Sequence, residues 1–201
     1  ADEKFSILKD IEYETKRCIG IVKNLLGASR LEDTASGEIS EFDSLDILTR
    51  VVRLMEYRTR KENVKVSMEV HESLPKIRMG REAFQQLCLN LFTNAVDAVE
   101  TTETKKVEIQ LKGAGKTLNL VVTDTGCGIS DAIKDKIFDP FFTTKEPGKG
   151  TGLGLATCWR IVHQHGGKIH IESNSTSGTT ITVTLSGGPE KQRILHRENK
   201  S

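Results

Sequence analysis

Leu87 to Ala98 reads LCLNLFTNAVDA. On a helix, Asn90, Asn94 and Asp97 share one face, because their spacings are four and three, while Leu87, Leu91 and Ala95 share the face turned toward a core. Asparagine is a poor helix former whose amide competes for backbone bonds, so packing alone does not call for two of them in mid-helix. Their neutral amide oxygens suit a hard cation such as Mg2+, which takes oxygen ligands and keeps several waters. Taken alone, the same pair also fits a plain solvated helix face.

Three further segments follow in order: DTGCGI at Asp124–Ile129, FDPFFTTK at Phe138–Lys145, and GKGTGLGL at Gly148–Leu155. Asp124 closes a strand-like run and meets Gly126 and Gly128. A carboxylate fixed there can accept from an exocyclic amine while the glycines admit a flat ring, although a D-x-G run is also an ordinary Asx turn. Phe138, Phe141 and Phe142 flank Asp139-Pro140, as in a hydrophobic corner or the anchor of a movable segment. Gly148, Gly150, Gly152 and Gly154 run straight into the helical stretch ATCWRIVHQH. Glycine-rich backbone at a helix N-terminus offers free N–H groups and the positive dipole end, which suits phosphate. The pattern is neither a Walker loop nor a dinucleotide GxGxxG after a strand.

Bulk properties narrow the setting. The 201 residues suffice for one full-sized domain and an appended element. Twenty-nine basic residues against twenty-eight acidic ones give no global field toward nucleic acid or an anionic membrane, so phosphate binding has to be local. No apolar run is long enough to cross a bilayer, and ADEKFSILKD is too polar for a secretory signal. Cys18, Cys88, Cys127 and Cys158 are scattered without CxxC spacing and read as reduced packing thiols in the cytoplasm.

Around these segments the chain divides at 1–31, 32–42, 43–187 and 188–201. From Phe5 to Arg30, Leu8, Ile11, Cys18, Val22 and Leu25 form a helical seam that asks for a partner helix, or else docks on its own domain. Residues 32–42 read as a polar linker. Asp43 is an N-cap candidate for a helix through Leu45, Leu48, Val51, Val52, Met55 and Tyr57. Val64, Val66, Met68 and Val70 alternate as a strand with one buried face, and the next helix spans roughly Arg81 to Glu100. Val107, Ile109, Leu111 and Leu118, Leu120, Val122 alternate about Gly113 and Gly115; Ile169, Ile171 and Ile181, Val183, Leu185 do so about Asn174 to Gly178. Both are hairpin patterns. The expected fold is an α/β (α+β) sandwich, a mixed sheet covered on one face by helices and preceded by one long dimerisation helix. The tail 188–201 lacks periodicity.

The four segments resemble the N, G1, F and G2 boxes of the sensor histidine kinases, which share the Bergerat ATP-binding fold with gyrase, mismatch-repair and chaperone ATPases. The match runs from Arg81 to Leu185. The resemblance implies that Asn94 is the principal Mg2+ ligand with Asn90 assisting, that Asp124 binds the adenine amine, and that Gly126, Gly128 and Ile129 line the base pocket. It makes Phe138 to Gly150 an ATP lid, in which Phe138, Thr143, Thr144, Lys145, Lys149 and Gly150 bind ATP, as do Thr151 just beyond it and Asp97. Gly152, Leu153, Gly154 and Leu155 support the phosphates, and Thr179, in the Gly178-Thr179 pair, stands near the adenine. The first helix is similar to the second helix of the family's dimerisation and phosphotransfer hairpin.

A phosphoacceptor histidine followed by an acidic residue is expected ahead of Ala1, in a longer, homodimeric protein. His71-Glu72 imitates that dipeptide, but it closes a strand-like stretch and lacks the helical context. His163, His165, His170 and His196 have no metal-ligand spacing. The resemblance therefore implies Mg2+-ATP binding, ADP as product, a response-regulator receiver domain as partner, no nucleic acid, a membrane only through other regions, and no autophosphorylation by this chain alone. A Bergerat ATPase that drives conformational change is the alternative, weakened by Gln86 four residues before Asn90, where such enzymes carry a carboxylate. A nucleotide-binding dimerisation module without chemistry and a serine-directed kinase of the mitochondrial dehydrogenase type are the others.

Overall fold

The computed structural model describes residues 39–71, 73–146, 150–173 and 178–186. The seam helix at 1–31, Gly148, Lys149 and the tail 188–201 lie outside them. Strand β1, Ser40–Phe42, pairs antiparallel with β3, Ile77–Met79, in a small two-stranded sheet. The main sheet orders its strands β2-β4-β5-β7-β6, from Lys65–Val70, Lys106–Ala114, Thr117–Asp124, Thr179–Ser186 and Lys168–Ser173 respectively. Only β2 and β4 pair in parallel, so the sheet is mixed. Helices α1 (Ser44–Lys61), α2 (Arg81–Ala98) and α3 (Gly154–Gln164) complete the domain.

The two-residue alternation of the strands sorts the sheet's faces. Val107, Ile109, Leu111, Leu118, Leu120, Val122, Ile181, Val183 and Leu185 are all buried, in one cluster with the apolar faces of the helices. On the other face Thr184 Oγ1 donates to Asn119 Oδ1 at 2.8 Å and the hydroxyls of Thr123 and Thr180 meet at 3.1 Å, a polar surface that needs no second layer. Both hairpins form as the alternation requires. The first turns at Gly115, with φ +61°, while Gly113 stays in β4 opposite Leu118. Gly113 meets another constraint, because a Cβ there would stand 2.2 Å from the Ser73 carbonyl oxygen.

Helix α2 lies at the centre, with Phe84, Leu87, Leu91 and Val96 fully buried. Asp43 caps α1 as its residue type requires, its Oδ1 accepting from Leu45 N–H at 2.9 Å. The helix buries Ile47, Leu48, Val51 and Met55, and Leu45 and Val52 pack partly against them. Tyr57 departs from the expected face: two residues beyond Met55 the helix has turned by about 200°, and Tyr57 is 80% exposed. Met68 departs as well: on the sheet's edge strand β2 it is exposed. β1 lies within the stretch read as linker, and Phe42, its ring tilted against that of Phe84 at 5.7 Å, belongs to the core. Among the described residues no helix is long and apolar enough to cross a membrane.

Candidate nucleotide site

Asp124 ends β5 and is 6% exposed. Its Oδ1 accepts from Gly126 N–H at 2.8 Å and from Thr179 N–H at 3.2 Å, so the turn after β5 and the start of β7 together fix the carboxylate. Both donors use the same oxygen, which leaves Oδ2 for a further donor. The turn after it is pressed onto the end of α2: Cys127 N–H donates to Ala98 O at 3.2 Å, and a Cβ on Gly126 would come within 2.6 Å of that residue. Gly126 is thus required by close packing, and Gly128, with φ +69°, by backbone conformation.

The G-T pair is tied to this turn by a residue the sequence did not single out. Ser173 Oγ donates to Gly178 O at 2.8 Å and accepts from Ile129 N–H at 2.8 Å and from the Thr179 hydroxyl at 2.9 Å. Gly178, with φ +79°, sits so close that a Cβ would stand 2.0 Å from Asp124 O. Asp124, Ile129, Ser173 and Thr179 therefore form one hydrogen-bonded end of the site. No periodicity marks Ser173, whose role comes from bonding both the Gly178-Thr179 pair and the distant Ile129.

Burial raises the pKa of Asp124, and the bonds from Gly126 and Thr179 offset only part of that effect. Above the ordinary aspartate value of about 3.9 the folded chain holds this proton longer than the unfolded one. The stability associated with Asp124 is thus present at low pH and lost as pH rises through the raised value. Urea midpoints of wild type and Asp124→Asn, which stays neutral, are expected to diverge as pH rises through that window and to converge below it; a pH-independent difference would contradict the assignment.

The other end of the site is the junction of α2 with α3. Helix α3 begins at Gly154 with no side-chain cap, so its first N–H groups remain available. The Asn94 amide lies against Gly154, where a Cβ would stand 3.4 Å from Nδ2 and 3.5 Å from Oδ1. Asn90 is engaged differently. Its Nδ2 donates to Gly154 O at 3.3 Å and its Oδ1 accepts from Gln86 Nε2 at 2.7 Å, so it fixes the start of α3. Asp97, on the same face, pairs with Arg58 of α1 and with Lys145. Arg58 was hidden in the basic end of its helix.

The connection between β5 and α3 is closed on itself. Phe141 N–H donates to Gly152 O at 3.0 Å; both residues have positive φ, and a Cβ on Gly152 would stand 2.3 Å from the Phe141 carbonyl carbon. Phe138 and Phe142 are half-buried, whereas Phe141 is 61% exposed. Thr143 Oγ1 accepts from Lys145 N–H at 3.2 Å and Thr151 Oγ1 from Leu153 N–H at 3.4 Å. Thr144 is exposed and Leu155 packs partly against the core. Cys88 and Cys158 are buried, and burial pushes both thiols up, Cys158 to about 12; Cys127 is exposed and so is not the packing residue expected.

The site thus has a sheet-end carboxylate at one end and an amide-bearing helix against an open helix N-terminus at the other. Residues 79–188 match the family described as histidine kinase-, DNA gyrase B-, and HSP90-like ATPase, and the chain belongs to it: this is an ATP-binding domain of the histidine kinase type. Sporulation kinase D of Bacillus subtilis is 36% identical over 177 residues, covering 87% of this chain and 33% of its own. Sensor kinase CckA of Brucella abortus is 30% identical over 206 residues, with coverages of 96% and 21%. The solved catalytic domain of histidine kinase ThkA is 33% identical, with a TM-score of 0.67 over 76% of this chain and 99% of that one. The chain spans a third or less of the length of these two curated relatives. The family and the helix-covered mixed sheet are those the sequence implied.

Proposed function

We propose that this chain is the nucleotide-holding catalytic part of a two-component sensor histidine kinase. On this reading it binds Mg2+-ATP with the adenine amine on Asp124, near Thr179, and the phosphates at the start of α3. The γ-phosphoryl passes to a histidine nitrogen, with ADP leaving, and onward to an aspartate of a response-regulator receiver domain. The observation that carries the reading is the contact between Asn94 and Gly154, which brings an amide oxygen donor to the open end of a helix. Catalysis is then chiefly positioning and charge neutralisation.

The donor set fits Mg2+ in one particular way. Among the described residues no cluster of three His, Cys, Asp or Glu side chains is poised for a metal. The ion would thus arrive with the nucleotide, taking phosphate oxygens, waters and Asn94 Oδ1, and would supply charge neutralisation there. Asn90 Oδ1 already accepts from Gln86, so Asn90 supports the site through Gly154.

The described histidines support an acceptor elsewhere. His71 N–H donates to Leu111 O at 3.0 Å, continuing the β2–β4 ladder. His163 and His165 bond carbonyls of their own helix, and His170 is exposed beside Glu172. His196 lies outside the described residues. The reading includes work in the cytoplasm, where ATP is available, and dimerisation through the helix at 1–31.

ATP titration with and without Mg2+ tests this. Asn94→Ala is expected to weaken Mg2+-ATP binding about 10–100-fold and to lose most of that difference from wild type in EDTA. Undiminished binding by both Asn94→Ala and Asp124→Asn would sink the site assignment. The chain alone is expected to form no phosphohistidine, and a separate histidine-bearing helix to become labelled; label on His71 would overturn the acceptor reading.

A further inference from the structure

Both oxygens of Asp97 are already taken. Oδ1 accepts from Arg58 Nη2 and Oδ2 from Lys145 Nζ, and the carboxylate is 17% exposed. Arg58 is held in turn by Glu62 Oε1 at 2.9 Å. The Lys145 stem lies along Gly150, where a Cβ would stand 3.1 Å from Cδ and 2.7 Å from Thr143 Oγ1. Lys145 therefore lies between the two arms of the connection, and its ammonium ends on α2 three residues beyond Asn94.

Electrostatics separates the possible roles. A carboxylate repels phosphate, so direct contact between Asp97 and the nucleotide tail is unfavourable. Arg58 and Lys145 both meet Asp97 while Glu62 offsets Arg58, so the cluster as a whole is balanced and what it provides is a fixed place for the lysine charge. A free lysine is a flexible point charge that loses rotamer freedom when it binds, whereas one already fixed in place loses little.

Resting on the nucleotide reading above, we infer that Asp97 is a positioning residue: anchored by Arg58, it holds Lys145 and the arms beside it against α2, setting the lysine charge where the phosphates enter. Asp97 acts through Lys145 and touches no nucleotide. If it merely competed with phosphate for the lysine, its removal would tighten ATP binding instead.

Titrations of the full chain with ATP and with adenosine, in Mg2+, decide between these. Asp97→Asn and Lys145→Met are each expected to weaken ATP binding about tenfold and to leave adenosine binding unchanged, the double variant being no weaker than Lys145→Met alone. Equal losses for ATP and adenosine, the mark of a merely structural role, would overturn the inference. So would additive losses, or undiminished or tighter ATP binding by Asp97→Asn. Should Asp97→Asn fail to fold, the same cycle between Arg58→Gln and Lys145→Met reads the coupling through the intact carboxylate: non-additive losses support it and additive ones overturn it. Failure of the wild type to bind ATP would instead overturn the nucleotide reading, and with it this one.

Discussion

Replacing Asp124 by asparagine is expected to lower the affinity for ATP about 100-fold or more while the folded chain survives. Asparagine keeps an oxygen for the Gly126 and Thr179 amides, so the sheet end stays paired. On the proposed reading it puts an NH2 group where the purine amine would donate, and two donors then face each other at a buried position. Alanine tests something else. It strips both backbone amides of their acceptor at a site only 6% exposed, so lost binding is then mixed with lost stability. Calorimetric titration with ATP, paired with a urea curve for each variant, separates the two. Wild-type affinity in a folded Asp124→Asn chain would remove Asp124 from the adenine site.

Gly178→Ala is expected to destabilise the domain by about 2–5 kcal/mol. Part of this is the left-handed backbone at φ +79°, which a Cβ disfavours. The rest is the overlap with Asp124 O, 2.0 Å from the added carbon, which compels one of two paired strands to move. Since the shift runs through Asp124 and the Ser173 hydroxyl, ATP binding is expected to fail before unfolding does. A urea midpoint equal to that of Gly115→Ala, where an added Cβ meets nothing within 4 Å, would refute the packing argument. Both substitutions carry the left-handed cost, with φ +61° at Gly115, so only the collision distinguishes them.

The parts of this fold that were legible from sequence are those governed by local periodicity. Alternation in β4, β5 and β7 marked the buried face residue by residue, and Asp43 marked the start of α1 because capping chemistry acts over two residues. β1 and β3 escaped notice because each is three residues long and is stabilised by a partner far along the chain. Tyr57 was misplaced for a different reason: an aromatic near the end of an amphipathic run looks like core until its angle from Met55 is counted. In the site, the glycines and Asp124 stood out by residue type. Ser173, Gln86 and Arg58 are ordinary residues made specific by what folds against them. Asn90 and Asn94 looked equivalent on the helix face, and only the position of Gly154 separates a clamp from a free amide.

The Phe141–Gly152 clasp bears on how freely this domain can change length. With the chain bonded to itself at those two residues, the segment between them is a closed loop whose ends are fixed whatever it contains. Doubling such a loop costs only about 0.6 kcal/mol in closure entropy. Residues can thus be gained or lost inside it without disturbing the register of β5 or the first turn of α3. The clasp insulates the rigid frame from changes inside the loop, which makes that loop a place to graft a peptide or a label.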